Sequence, residues 1–140
     1  MEETVIVIMI KDPETGFLDR ELGSYTVEKH EELIYNTYAA ETDGGLKVYM
    51  KLTCPEDASD WQFNAIYDYY DPETIMPYVT SIEEDEDSYN PTWTVSFDFV
   101  DDPYAMEEKI AAILSAHKRE IDSVYAAIAD KKDDYTDYEY

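Results

Sequence analysis

One cysteine, four glycines, two histidines and ten lysines and arginines stand in 140 residues, and each scarcity excludes something. With Cys54 alone no internal disulfide can form, which is the thiol usage of a reducing compartment, so a cytoplasmic location is expected. Four glycines, two of them adjacent at Gly44-Gly45, cannot build a glycine-rich phosphate loop. His30 and His117 are not accompanied by a Glu-x-x-His motif, so the carboxylate–histidine metal pattern is missing. The apolar run Val5–Ile10 is too short for a signal peptide or a membrane span, and acids precede it. Asn90-Pro91-Thr92 fails as a glycosylation acceptor because proline occupies its middle position.

Basic residues are the most consequential shortage. Thirty-four acids face ten bases, for a net charge of −24. That charge excludes nucleic acid as a direct partner and opposes binding to anionic membranes. A hydrophobic content of 44% still argues for a folded chain, and 140 residues suffice for one domain with a real core.

Residues Thr92–Phe99 alternate, with Trp93, Val95, Phe97 and Phe99 on one side, and predict a strand with one dry and one wet face. Asp102 and Pro103 then suit a helix start. From there Met106, Ile110, Ile113, His117, Ile121, Val124 and Ile128 recur every three or four residues, with Leu114 and Tyr125 beside them. This predicts one long amphipathic helix laid on the sheet.

Upstream, Thr4–Lys11 reads as a central strand and Phe17–Val27 as its hairpin partner. Glu28–Glu32 reads as a loop or a single helical turn. Leu33–Thr42 and Leu46–Cys54 flank Asp43-Gly44-Gly45 as a second hairpin. Trp61–Tyr69 carries two signals: alternating aromatics favour a strand, and the Ser59…Gln62 capping-box spacing favours a helix; the strand is the preferred reading. The tetrapeptide Asp12–Thr15 recurs at Asp71–Thr74 and implies a shared turn or helix start. Glu83–Asp87, five consecutive acids, reads as a solvated loop, and Asp133–Tyr140 as a disordered, acidic, tyrosine-rich tail. The expected fold is α+β: an antiparallel sheet of about five or six strands with one long C-terminal helix across one face. It would occupy residues 1–132 as a single domain, with 133–140 as the tail.

The charge is unevenly spread. Residues 103–132 balance five acids with five bases, the tail carries −4, and residues 1–102 carry −20. Solubility needs a net charge of only about 2 to 8. A domain of this length is about 38 Å across, from a radius of gyration of about 14 Å. Duplex DNA of that length carries about 22 charges, so the density of charge matches nucleic acid.

Fourteen tyrosines accompany the acids. Carboxylates pair with guanidinium groups and aromatic rings stack on them, so acid–tyrosine clusters fit an arginine-rich surface. The candidate partner-binding residues are Asp68, Asp71, Glu73, Glu83, Glu84, Asp85, Glu86 and Asp87 with Tyr67, Tyr69 and Tyr70. No catalytic residue, metal ligand or cofactor is expected. Asn90 replaces the glycine that an EF-hand loop starting at Asp85 requires, and Phe17 occupies that position after Asp12. Cys54, at a strand end before Pro55, reads as a packed thiol rather than a nucleophile.

In composition the chain resembles phage-encoded anti-restriction and anti-CRISPR proteins, which are small, acidic and often mimic nucleic acid; that resemblance transfers no residues. The expected function is a non-enzymatic acidic protein-interaction domain that binds and inhibits a basic partner, with nucleic-acid mimicry as its specific form. The alternative is a bacterial structural domain that forms a homodimer through the long helix, its charge serving solubility.

Overall fold

Period-two segments build a sheet, and one segment of helical period covers a single face of it. The structure, a computed structural model, describes residues 4–12, 14–85 and 88–136. The strands are β1 (Thr4–Lys11), β2 (Leu18–Val27), β3 (Ile34–Thr42), β4 (Gly45–Leu52), β5 (Ser81–Asp85) and β6 (Thr92–Asp98). The helices are α1 (Asp60–Tyr69), α2 (Pro103–Ile128) and α3 (Lys132–Thr136). The strands form one sheet in the order β2-β1-β3-β4-β6-β5. Every neighbouring pair is antiparallel except β1 and β3, which run parallel over a short stretch. The α+β class and the long helix across one face are therefore as the sequence implied.

Both expected hairpins form. In the second, Gly45 has φ of 113°, a conformation that side chains rarely adopt, so glycine is required where the turn enters β4. Glu31–Leu33 is a single 3₁₀ turn, which brings Leu33 into the core.

The helix α2 spans 26 residues, about 39 Å at 1.5 Å per residue. The Asp102 carboxylate accepts the backbone N–H groups of Tyr104 (3.0 Å) and Ala105 (3.3 Å), and Pro103 stands in the first turn. Met106, Ile110, Ile113, Leu114, His117, Ile121, Val124 and Ile128 are all buried. They pack on Ile8, Ile10, Tyr25, Val27, Ala39, Val48, Met50, Trp93, Val95 and Phe97 from the sheet. The stripe is thus consumed by the chain's own core, and a homodimer built on it would have to open that core.

Four other expectations change. Trp61–Tyr69 is helical. The capping box holds, with the Ser59 N–H donated to Gln62 Oε1 at 3.0 Å, and the alternating aromatics include an i,i+4 pair, Phe63 and Tyr67, in edge contact at 5.1 Å. Glu83, Glu84 and Asp85 belong to edge strand β5, not to a loop; Glu86 and Asp87 lie outside the described residues. The supposed wet face of β6 is dry at Thr92 and Ser96, because Ser96 Oγ bonds Ser81 Oγ at 2.6 Å and Thr92 Oγ1 donates to the Asn90 carbonyl at 2.9 Å. The tail begins with helix α3 beside α1, and residues 137–140 lie outside the description.

One departure concerns β1. An uninterrupted apolar run is the pattern of a strand buried on both faces. Ile8 and Ile10 are buried under the helices, but Val5 and Val7 are 58% and 47% exposed on the opposite face. Among the described residues no helix covers that face.

Candidate interaction surface

The link from β4 to β6 carries the predicted acids, and local chemistry shapes it. Helix α1 ends at Tyr70, whose N–H bonds the Ile66 carbonyl at 2.9 Å. Asp71 then accepts the N–H of Glu73 at 3.0 Å and starts the 3₁₀ turn Pro72–Thr74. Asp12 accepts the N–H of Glu14 at 2.7 Å and of Thr15 at 3.3 Å. The repeated tetrapeptide is thus a carboxylate-capped turn in both places. A second 3₁₀ turn, Met76–Tyr78, leads into β5.

The inner side of this link is anchored on Trp93. Tyr70 stacks on the indole with ring centres 4.2 Å apart, and Tyr67 and His117 meet it edge-on at 5.3 and 5.4 Å. The Tyr67 hydroxyl accepts the Thr92 N–H at 2.9 Å and donates to the Asp85 carbonyl at 2.8 Å, tying α1 to β5 and β6. His117 bonds the Thr53 carbonyl through Nε2 at 2.8 Å, which places the ring proton there and leaves Nδ1 to accept the Tyr70 hydroxyl at 2.8 Å. Burial pushes His117 down to about 4, pushes the Tyr70 hydroxyl up, and pushes the Cys54 thiol up to about 12. These are neutral, dry hydrogen-bonding groups that orient the packing of α1, α2 and β6.

The predicted site residues therefore divide. Asp68, Tyr69, Asp71, Glu73, Glu83 and Glu84 are exposed. Tyr70 is only 6% exposed, and Tyr67 is half-buried with its hydroxyl engaged. Both are scaffold residues rather than partner contacts, because their polar ends are already satisfied within the fold. Asp85 is half-buried and ion-paired with Lys51 at 2.8 Å, and that hydrogen bond raises the lysine pKa. Glu86 and Asp87 lie outside the described residues.

Two features of the surface escaped the sequence reading. Met76 and Tyr89 are exposed along the same link, as Tyr69 and Tyr78 are. The second is legible in the sequence: no lysine, arginine or histidine occurs from Leu52 to Glu108, a span that holds sixteen acids. The carboxylates of α2 are used differently. Glu120 accepts the Asp71 N–H at 2.9 Å and the Thr74 hydroxyl at 3.0 Å, and Glu107 accepts the Thr26 N–H on edge strand β2 at 2.7 Å.

A family model, that of a family of unknown function (DUF6762), matches residues 1–136. The chain belongs to DUF6762. No curated protein and no solved structure matches it. The matched span of this DUF6762 member includes all six strands and all three helices, so the acidic link lies within the family's extent. Among the described residues no helix is long and apolar enough to cross a membrane, and no group of three or more histidine, cysteine and carboxylate side chains is arranged to hold a metal ion.

Proposed function

We propose that this chain is a non-enzymatic acidic interaction domain that binds a basic protein and inhibits it by covering its basic surface. The observation that carries this reading is the β4–β6 link. Along this one stretch of chain Asp68, Asp71, Glu73, Glu83, Glu84, Tyr69, Tyr78 and Tyr89 are all exposed, in a span without one basic residue, with Glu83 and Glu84 on opposite faces of edge strand β5. An arginine-rich surface meets both of its preferred contacts there, carboxylate and aromatic ring. The partner is a protein and neither nucleic acid nor membrane, since both of those carry the same sign of charge. Nucleic-acid mimicry is the specific form of this reading, in which the partner's own nucleic-acid groove is the surface covered.

Capture from lysate at low and high salt tests the general claim. A steered encounter is fast and weakens steeply as salt rises. Replacing Asp68 by Asn together with Glu73, Glu83 and Glu84 by Gln lowers the association rate by about tenfold or more at low salt. Binding indifferent both to salt and to this variant overturns the reading. Competition tests the mimic: nucleic acid displaces the protein from its partner, and a ternary complex of all three ends the mimicry while leaving acidic binding intact.

A further inference from the structure

An open sheet ends in two edges, and folded proteins guard such edges against further pairing with charges, bulges or brevity. Strand β5 is guarded throughout: it has five residues, three of them acids, and the Tyr67 hydroxyl closes one end on the Asp85 carbonyl. Strand β2, at the opposite end of the sheet, has ten residues, and its guards stop halfway. Arg20 and Glu21 lie between the two places where its pairing with β1 shifts register. Residues 23–27 then pair in step with residues 4–8 and carry no charged side chain. In this half the Thr26 N–H points away from β1, to the Glu107 carboxylate of α2 at 2.7 Å. Outward groups recur at every second residue of a strand, so Ser24 turns its N–H and carbonyl the same way. The carboxylate thus stands where the carbonyl of a further strand would lie. Beside it runs a groove of about 540 Å³ between β2 and α2, lined among others by Glu28, Lys29, Tyr104, Glu107 and Glu108. Its walls carry three carboxylates against one ammonium, and Tyr104 is exposed.

We propose that this edge takes an extended, lysine- or arginine-bearing segment of another protein as a seventh strand. A carbonyl of that segment replaces Glu107 as the acceptor of the Thr26 N–H, and Ser24 supplies a further donor and acceptor. The exchange leaves no amide unpaired. Glu107, released, joins Glu28 and Glu108 in meeting the basic side chains that rise towards α2 at every second position of the added strand. The Tyr104 ring offers such a cation a second contact. Main-chain bonds give a strand addition its affinity, and alternate side chains give it specificity. The groove selects a basic occupant by charge: an acidic strand, or a second copy of this chain with its own charge of −24, would bring carboxylates against carboxylates. The site lies at the other end of the sheet from β5 and the acidic link, so it stands or falls apart from the function proposed for that link.

A capped heptapeptide alternating lysine with valine tests the addition. Binding, followed by NMR, should slow amide exchange at Ser24 and Thr26. Methylating the amide nitrogens of the lysines, or those of the valines, leaves the charge unchanged, and only one of the two sets faces β2. One isomer should therefore bind within about threefold of the parent and the other at least about tenfold more weakly. Ser24→Pro removes an outward N–H and no bond to β1, and should weaken the parent peptide about tenfold with an unchanged circular dichroism spectrum. Glu107→Gln combined with Glu108→Gln should weaken it and flatten its salt dependence. Replacing Asp68 by Asn with Glu73, Glu83 and Glu84 by Gln should change it by less than about twofold, because those acids lie at the far edge. Should Ser24→Pro fail to fold, the two methylated isomers still decide. Equal binding by both isomers, slowed exchange at β5 in place of β2, or equal binding of a glutamate–valine peptide would each overturn the proposal.

Discussion

The helix α2 and the β4–β6 link both carry acids, and they use them in opposite ways. Within Pro103–Lys132 five acids meet five bases, and Glu107 and Glu120 turn their carboxylates onto backbone N–H groups of β2 and of the turn after α1. In the link the acids have no base within their own segment, and Asp68, Glu73, Glu83 and Glu84 face solvent. Acid count alone therefore does not mark a surface for binding. The two regions differ in exposure and in local charge balance: the carboxylates of Glu107 and Glu120 are tied to other elements of the fold, and those of the link are exposed in a span without bases.

The core beneath both regions supplies the sharpest test. Phe97→Ala or Ile121→Ala should each cost about 2 to 5 kcal/mol, because both side chains are wholly buried where the sheet meets α2. Urea unfolding measures it, and full stability in either variant would show that α2 does not share its core with β6.

The His117–Tyr70 link joins the two regions, and acid should loosen it. The folded-state pKa of His117, about 4, lies below the ordinary 6.5. Between those values the unfolded chain binds more protons, so stability is complete above about pH 6.5 and is lost as pH falls towards 4. The loss is about 3 kcal/mol, at 1.36 kcal/mol per unit. Carboxylates titrate towards the lower end of the same range and relieve self-repulsion, so the wild type is best compared with His117→Gln, which lacks this component. Identical pH slopes in the two proteins would refute the assignment.

A smaller contrast separates the two kinds of acid directly. Glu120→Ala leaves the Asp71 N–H and the Thr74 hydroxyl without their acceptor and should cost about 1 to 3 kcal/mol. Glu73→Ala, at an exposed position, should change stability by about 0.5 kcal/mol or less. Equal costs would erase the distinction between structural and displayed carboxylates. The smallest effect is that of salt on the isolated chain. Raising chloride from about 20 to about 300 mM should lift the melting temperature by a few degrees as screening relieves repulsion. A flat or falling curve would mean that local pairing already balances the acids.

Much of the architecture was written into local pattern. The alternation of Trp93, Val95 and Phe97, the 3.6-residue recurrence from Met106 to Ile128, the cap at Asp102 and the glycine turn before β4 are each decided by neighbouring residues, and each formed as read. Local pattern failed where two local signals competed. At Trp61–Tyr69 strand alternation and a capping box coexist, and docking on Trp93 favours the helix, since Ile66 and Tyr70 reach the core only with helical spacing. Glu83–Asp85 looked like a loop because an edge strand needs only backbone partners, which β6 supplies and sequence does not display. The candidate site was half legible. Sequence alone determined that a long stretch carries acids and no base. Tertiary structure decided which of them face outward, because the hydrogen-bonded anchors of Tyr67 and Tyr70, the pairing of Asp85 with Lys51 and the parallel meeting of β1 and β3 all join residues far apart in the chain.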